Sequence, residues 1–326
     1  MLARPVPHRA CRAAHGRPVQ SPAKSHCATS LIDRILLPSF ARPHNMATIS
    51  ELVLYPIKSC AGMHVPEARI ALDGLSAHGV HDREWMLVTG EGRFLTQREY
   101  PRMATIIPRV EGNALVVDAP GMAPLRLPLA HAPQAPVIEA LIWDDRVPAA
   151  DCGDNAAAWF ADAIGAPCRL VRFRPDSHRP TSTKWTGGTP AAARFADGYP
   201  ILLIGQASLD DLNAKLAKAG RAALPMNRFR PNLVVQGIEA FEEDFVAAFI
   251  DGDVNLRPVK PCARCPIPSI DQATGIPGPD PLDILQTYRA NARMDGAVTV
   301  GMNVIVREGI GRTVRVGQEL NAELAF

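Results

Sequence analysis

The chain has 326 residues, of which 47% are hydrophobic and 21% are charged. These proportions are typical of a folded globular protein and exclude a largely disordered one, and the length corresponds to about two domains of roughly 150 residues. Residues 1–45 hold six Arg and one Lys against Asp33 alone, so 7 − 1 = +6, and the net charge of +2 leaves 2 − 6 = −4 for the remainder. That remainder lacks the basic field that nucleic-acid binding requires, and no run of about 18 apolar residues predicts a membrane span.

The first 45 residues are rich in Ala, Pro, His and Arg and show no apolar period, as in an organellar transit peptide. Met46 is followed at once by a strand pattern, so a translation start at Met46 is the alternative. In both cases we predict a disordered, dispensable extension.

The seven cysteines are an odd number spread over a long chain, which indicates a reducing compartment. We therefore predict a cytoplasmic protein, or a mitochondrial one if residues 1–45 are genuine and the source is eukaryotic.

The first half of the remaining chain predicts a small β-rich domain over residues 46–173. A short helix is predicted near its end, because Asp154 can cap an apolar face that includes Phe160 and Gly165 can end it. Residues 174–190 are polar and rich in helix and strand breakers, and they predict a linker. The predicted strands are short runs bounded by Gly or Pro, at 51–57, 84–89, 105–110 and 114–118.

The second half, residues 191–326, predicts a second domain that begins with an apolar strand at 199–204. A helix follows, with Ser208 and Asp211 in a capping-box pattern and Gly220 at its end. A further helix is predicted from Pro281, capped by Asp280. The remaining strand patterns lie at 232–235, 254–259, 298–306 and 313–316.

Strands outnumber helices along the whole chain and do not alternate with them as in a doubly wound sheet. The fold class predicted is therefore α+β and β-rich, with a β-barrel and a few peripheral helices.

The densest chemical signal is the segment PCARCP at 261–266, which follows a predicted strand. Thiolates such as those of Cys262 and Cys265 are soft ligands for metals. A structural zinc site usually needs a second Cys or His pair nearby, and neither residue type follows Cys265. A thioredoxin-type redox pair would open a helix, which Pro266 and Pro268 disfavour.

Three more segments place a basic side chain where a strand meets a turn: YPIKSC at 55–60, HDREW at 81–85 and NRFRPN at 227–232. Such positions suit charge-assisted hydrogen bonds to a phosphate or to a pterin edge. Taken singly, each segment is more typical of a surface ion pair.

Together with FADGYP at 195–200, these segments occur in the order found in the MOSC family, and residues 49–326 resemble in particular its amidoxime reducing components. The resemblance implies a MOSC N-terminal β-barrel domain followed by a MOSC domain. It also implies a molybdenum cofactor, Mo-molybdopterin, with Cys265 as metal ligand and catalytic residue. Asp197 is the candidate for proton delivery, with a turn-forming Asp as the alternative. The residues implied to contact the cofactor are Lys58, Ser59, Arg83, Gly198, Arg230, Asn232, Arg264 and Asn303.

The function implied is reduction of N-hydroxylated small molecules. Because no iron–sulfur segment follows the MOSC region, the electrons are expected from a separate donor, such as a ferredoxin, a flavoprotein or a b-type cytochrome system. No aminotransferase-like region precedes it, so pyridoxal phosphate binding and the cofactor sulfurase reaction are not expected. Two alternatives remain, a carrier of molybdenum cofactor or sulfur and a non-catalytic zinc-binding module built on Cys262 and Cys265. Cys60 is expected to serve packing alone.

Overall fold

The structure, a computed structural model, describes residues 45–325. The predicted N-terminal extension and its targeting role therefore lie outside the described residues, apart from Asn45, which begins the first strand. The strands are β1 Asn45–Leu54, β2 Met63–His64, β3 Glu67–Ala71, β4 Gly74–Ala77, β5 Val80–His81, β6 Trp85–Val88, β7 Ile107–Glu111, β8 Ala114–Asp118, β9 Leu125–Pro128, β10 Val137–Ile142, β11 Asp145–Asp151, β12 Arg169–Phe173, β13 Ile201–Gly205, β14 Leu233–Gln236, β15 Val246–Asp251, β16 Val254–Ala263, β17 Ala290–Asn291, β18 Ala297–Glu308, β19 Thr313–Arg315 and β20 Glu319–Leu324.

Helices are few and short in this part of the chain. The α-helices are α1 Asp154–Ile164, α2 Thr183–Thr186, α3 Gln206–Lys218 and α4 Leu282–Gln286. Single 3-10 turns lie at Pro101–Thr105, Met226–Arg228, Glu242–Phe245, Ile267–Ser269 and Ala292–Met294. Among the residues described, no helix has both the length and the apolar character needed to cross a membrane.

A closed barrel of seven strands organises the second half of the sequence, with the order β13-β14-β1-β20-β15-β16-β18 and a final pairing of β18 with β13. Only the β13–β14 pair is parallel among these neighbours. Strand β16 alternates buried and partly exposed residues, as expected when one face lines a core. The prediction of a β-rich fold containing a barrel is confirmed. The barrel interior is filled by fully buried side chains that include Ile49, Leu203, Phe249, Leu256, Val304 and Leu320.

The first strand of the chain belongs to this barrel, although it precedes all the others by more than a hundred residues. β1 lies between β14 and β20, and Ile49 pairs with Val235 in register. As a result, the turn that follows β1, which carries Lys58 and Ser59, is held at the barrel.

Strands β2 and β17 pair with β1 and β18 outside the barrel path, and the other strands form three smaller antiparallel sheets: β10-β11-β12-β6, β19-β3-β4-β5 and β7-β8-β9. Helix α1 packs by Phe160 into a core with Trp85, Leu87 and Leu170. The helix ends as predicted, at Gly165, whose φ of 75° lies in the left-handed region that glycine adopts without strain. At the other end of α1, Asp154 is the first helical residue and not the N-cap.

The capping box predicted for α3 is wrong. The helix begins at Gln206, upstream of the predicted cap, and no side chain caps it. Instead, the Ser208 hydroxyl lies 2.8 Å from both carboxyl oxygens of Glu243 and accepts a hydrogen bond from the backbone N–H of Phe241. Glu243 is completely buried and needs polar partners, so it engages the hydroxyl that would otherwise cap the helix.

Candidate functional site

A single cavity of about 370 Å³ collects the candidate residues from segments that are far apart in sequence. Lys58 and Ser59 follow β1, Arg83 precedes β6, and Cys265 lies just beyond β16. All ten residues singled out from the sequence line this cavity: Lys58, Ser59, Arg83, Asp197, Gly198, Arg230, Asn232, Arg264, Cys265 and Asn303.

The cavity wall is strongly cationic. Among its lining residues, six side chains carry a positive charge and one carries a carboxylate, giving 6 − 1 = +5 within a body whose net charge is −4. A partly enclosed pocket of one sign concentrates field lines and attracts ligands of the opposite sign. The cavity is therefore suited to an anionic ligand. The cations are Lys58, Arg83, Arg98, Arg228, Arg230 and Arg264, and the carboxylate is Asp197.

Backbone strain is concentrated at the same place. Seven non-glycine residues within 45–325 have a positive φ, and four of them line the cavity: Ser59 at 67°, Arg83 at 47°, Trp143 at 54° and Arg230 at 56°. Side chains with a Cβ adopt this left-handed region at a cost, and such residues cluster at functional sites. The fold thus holds several cavity side chains in directions that a relaxed backbone would not give them.

Two of the arginines are held by one tyrosine. The guanidinium groups of Arg83 and Arg230 both lie over the ring of Tyr55, 4.4 and 4.3 Å from its centroid. Burial raises the pKa of Tyr55 to about 12, although the two guanidiniums oppose this rise. Arg83 also pairs with buried Asp82, and Arg230 donates to the carbonyl of Cys60 at 2.6 Å. These contacts position two cations at the cavity wall.

The amide of Asn232 is already used by the protein. Its Oδ1 accepts from Arg83 at 2.9 Å and from the backbone N–H of Leu202 at 3.2 Å, and its Nδ2 donates to the Val53 carbonyl at 3.1 Å. In this structure Asn232 therefore positions Arg83. Asn303 is similarly engaged, because its Nδ2 donates to the Lys260 carbonyl at 3.2 Å.

Lys58 and Asp197 form an ion pair at the cavity. The buried Lys58 Nζ donates to Asp197 Oδ1 at 2.6 Å and to the Phe195 carbonyl at 2.8 Å. Desolvation opposes ionisation of the Asp197 carboxyl, but the charge and hydrogen bond of Lys58 outweigh it and lower the pKa of Asp197 to about 2. Burial lowers the pKa of Lys58, against the attraction of Asp197. Asp197 is thus a carboxylate at neutral pH.

Cys265 is the thiol best placed to take a metal. All five cysteines within residues 45–325 are free; Cys262 and Cys265 are both partly exposed in the cavity, whereas Cys60 is buried in the core. The Arg264 guanidinium turns to Cys262, whose Sγ accepts from Nη1 at 3.1 Å, and Nη2 donates to the Phe229 carbonyl at 2.6 Å. Cys262 is thus the partner of an arginine, and Cys265 makes no such contact among the described residues.

The protein alone does not assemble a complete metal site in this region. Within residues 45–325 no three Cys, His, Asp or Glu side chains come together in a group able to hold a metal ion. A metal at Cys265 would take its other ligands from a non-protein group or from solvent. An anionic organic ligand that carries the metal fits both this donor set and the positive cavity wall.

Comparison with known proteins agrees with the order of the motifs. Residues 46–167 match the MOSC N-terminal beta barrel domain, and residues 190–321 match the MOSC domain. The chain belongs to the MOSC family. It is 36% identical to mitochondrial amidoxime reducing component 2 of Rattus norvegicus over 75% of this chain and 73% of that one. It is 32% identical to mitochondrial amidoxime-reducing component 1 of Mus musculus, over 85% and 82% of the two chains. Component 2 of Homo sapiens is 34% identical, over 76% and 74%.

Sequence reasoning missed one positioning residue of this MOSC protein, which lies in the segment predicted as a linker. Arg179 is 5% exposed and donates to the carbonyls of Arg194, at 3.0 Å, of Ala196, and of Asp197, at 3.1 Å. Its Nε donates to Asp145 at 2.7 Å. Segment 174–190 therefore supports the backbone that carries Asp197. No motif signals this role, because its partners are mostly main-chain carbonyls.

Two other residues of the MOSC protein were missed as well. Gln97, which is fully buried, donates to the Ser59 carbonyl at 2.7 Å and contacts the Gln272 amide, which in turn accepts from Arg230 at 3.2 Å. Trp143 lines the cavity from the tip of the β10–β11 hairpin. An isolated Gln or Trp has no diagnostic spacing, so only the tertiary structure reveals these contacts.

Proposed function

We propose that this MOSC protein is a molybdenum-cofactor-dependent reductase of N-hydroxylated small molecules. The observation that carries the proposal is a partly exposed thiol, Cys265, in a cavity whose charged side chains are six cations and one carboxylate. Relatives that are 32–36% identical over at least three quarters of this chain are named for amidoxime reduction.

The cofactor would be Mo-molybdopterin. Cys265 would supply the protein thiolate to the metal, since molybdenum is a soft acceptor for sulfur. Arg83 and Arg230 would anchor the anionic pterin phosphate by charge-assisted hydrogen bonds, with Ser59 and the backbone at Gly198 completing the contacts. Asn232 would act through Arg83, Arg264 through its place beside the ligand, and Asn303 through the strand that it stabilises.

When bound, the cofactor supplies two electrons for cleavage of the N–O bond. The overall change consumes two electrons and two protons, converts N–OH to N–H, and releases the oxygen as water. Asp197, already a carboxylate at neutral pH, must receive a proton before it can deliver one. We therefore assign proton delivery to the pair of Asp197 and Lys58, because the Lys58 ammonium is 2.6 Å from Oδ1 and its pKa is lowered by burial.

The two electrons would come from a separate redox protein, a ferredoxin, a flavoprotein or a b-type cytochrome, because a small N-hydroxylated substrate brings none of its own. The substrate is a small molecule, and we propose no nucleic-acid partner. The related proteins are named mitochondrial. We propose a reducing compartment for this chain, cytoplasmic or mitochondrial.

The test is reduction of acetamidoxime by purified protein with chemically reduced methyl viologen as electron donor. We expect turnover by the wild type, loss of turnover in Cys265→Ser, and retained turnover in the matched control Cys262→Ser. Acetamidine is the product to measure. A protein that contains molybdenum and pterin but forms no acetamidine would contradict the reductase proposal and favour a cofactor carrier.

A further inference from the structure

Trp143 occupies an unusual position at the edge of the cavity. It is the first residue of the two-residue loop between β10 and β11, where Ile142 pairs with Asp145. Its φ of 54° lies in the left-handed region, which is favoured by glycine at the first position of such loops. A Trp, the largest side chain, thus occupies a backbone position that favours glycine. Such a choice points to a role for the side chain itself.

The indole is held firmly although half of it is open. Its ring packs against Phe94 in an edge-on arrangement, with 5.0 Å between centroids, and the Arg98 guanidinium lies 4.9 Å from its centroid. Nevertheless 49% of Trp143 is exposed, and the residue lines the cavity. Part of the indole surface is thus free to contact a ligand in the cavity. A fixed, partly wet aromatic ring is a suitable stacking surface for a flat ligand.

A hydrogen-bond acceptor lies next to this surface. The indole N–H donates to Asp197 Oδ1 at 3.3 Å, and Lys58 donates to the same oxygen. Among the side chains that the structure describes, none donates to the second oxygen, Oδ2, and the Asp197 side chain is 73% exposed. Oδ2 is therefore available to a ligand N–H. The amino group of an amidoxime is such a donor, attached to a planar carbon.

We infer that Trp143 selects substrates in which the N-hydroxylated group is conjugated to a flat ring. The ring stacks on the free surface of the indole, and Asp197 Oδ2 accepts a hydrogen bond from the substrate amino group. This inference rests on the proposed function for the identity of the reacting group. Trp143 takes no part in the electron transfer itself. Loss of the indole N–H, which donates to Asp197, should change the kcat of aromatic and aliphatic substrates alike. Loss of the stacking surface should raise the KM of aromatic substrates alone.

The experiment compares benzamidoxime with acetamidoxime, which carry the same reacting group on a phenyl ring and on a methyl group. The informative variant is Trp143→Asn, because Asn tolerates the left-handed backbone and removes the aromatic surface. Trp143→Phe retains a flat ring without the N–H. Trp159→Phe is the matched control, since Trp159 lies on α1 and donates to the Ala123 carbonyl outside the cavity. Molybdenum content is measured for each protein.

We expect Trp143→Asn to raise the KM for benzamidoxime about tenfold, the scale of one lost stacking contact, with the KM for acetamidoxime within about twofold of wild type. Trp143→Phe should recover most of the benzamidoxime affinity. As a readout independent of turnover, the Kd of benzamidine, the aromatic amidine, should weaken to a similar extent in Trp143→Asn.

The two hypotheses fail in different ways. If both amidoximes are reduced and Trp143→Asn changes their KM values equally, or changes neither, the selectivity of Trp143 is refuted and the proposed function stands. If neither amidoxime is reduced but benzamidine binding still depends on Trp143, the proposed function is refuted and the recognition surface stands. Loss of molybdenum from Trp143→Asn would assign the residue to cofactor binding and overturn the inference.

Discussion

Arg179→Met tests whether the segment between the two family regions supports the site. The arginine is 5% exposed, and it donates to three main-chain carbonyls of residues 194–197 and to Asp145. Methionine has a similar length and fills much of the same volume without a donor. The substitution therefore removes the hydrogen bonds while it leaves most of the packing in place.

The expected loss of stability follows from these contacts. Each buried acceptor left without a donor costs about 1 kcal/mol or more. The Ala196 carbonyl is buried and those of Arg194 and Asp197 are only partly buried, so the three together suggest a loss of up to about 3 kcal/mol. The ion pair with Asp145 adds little, because that carboxylate is 50% exposed. For a chain of this size, about 3 kcal/mol corresponds to a fall in Tm of roughly 6–12 °C.

The assay is thermal and urea unfolding of both proteins followed by circular dichroism. The matched control is Arg146→Met on strand β11, because Arg146 pairs with Glu139 while both side chains are more than half exposed. We expect a loss below about 1 kcal/mol for that control. If Arg179→Met were no more destabilising than Arg146→Met, the supporting role of Arg179 would be refuted.

Two further predictions concern buried polar groups. Tyr55→Leu should remove the ring contacts that position Arg83 and Arg230 and so lower the molybdopterin content of the purified protein. Tyr55→Phe keeps the aromatic ring and should keep the molybdopterin content of the wild type. Equal pterin content in the two variants, measured by fluorescence after oxidation, would contradict this prediction. Burial raises the pKa of Glu243, although the hydrogen bond from Ser208 opposes the rise. The stability that Glu243 contributes is therefore fully present below the ordinary Glu pKa and is lost as pH rises through the higher pKa of the folded state. Glu243→Gln should therefore become more stable relative to wild type with rising pH in urea unfolding, and a pH-independent difference would disprove the assignment.

Local patterns predicted the elements whose determinants are local. Strand β8 was expected at 114–118 and lies at Ala114–Asp118, because its apolar run is bounded on both sides by turns. The end of α1 was predicted because Gly165 alone satisfies the left-handed position. The start of α3 was not predicted correctly, because the Ser208 hydroxyl is hydrogen-bonded to Glu243, a residue 35 positions away. A capping motif is read from neighbours, and a tertiary partner can override it.

The candidate site shows the same division. Its basic residues could be named from ordered motifs, and the structure brings all of them to one cavity. Arg179 and Gln97, which hold them in place, could not be named, because they act through main-chain carbonyls that carry no sequence signature. Tyr55 belongs to the YPIKSC segment, but its ring contacts with two arginines could not be foreseen from that motif. Membership of β1 in the barrel is likewise a long-range pairing that no periodicity reveals.

The most direct test of the central claim is the metal and pterin content of the full chain purified from cells that synthesise molybdopterin. We predict about one molybdenum and one pterin per chain for the wild type, little zinc, and loss of molybdenum in Cys265→Ser but not in Cys262→Ser. Protein that carries zinc in place of molybdenum, or that contains neither metal nor pterin, would contradict the assignment of Cys265 as the ligand of a molybdenum cofactor.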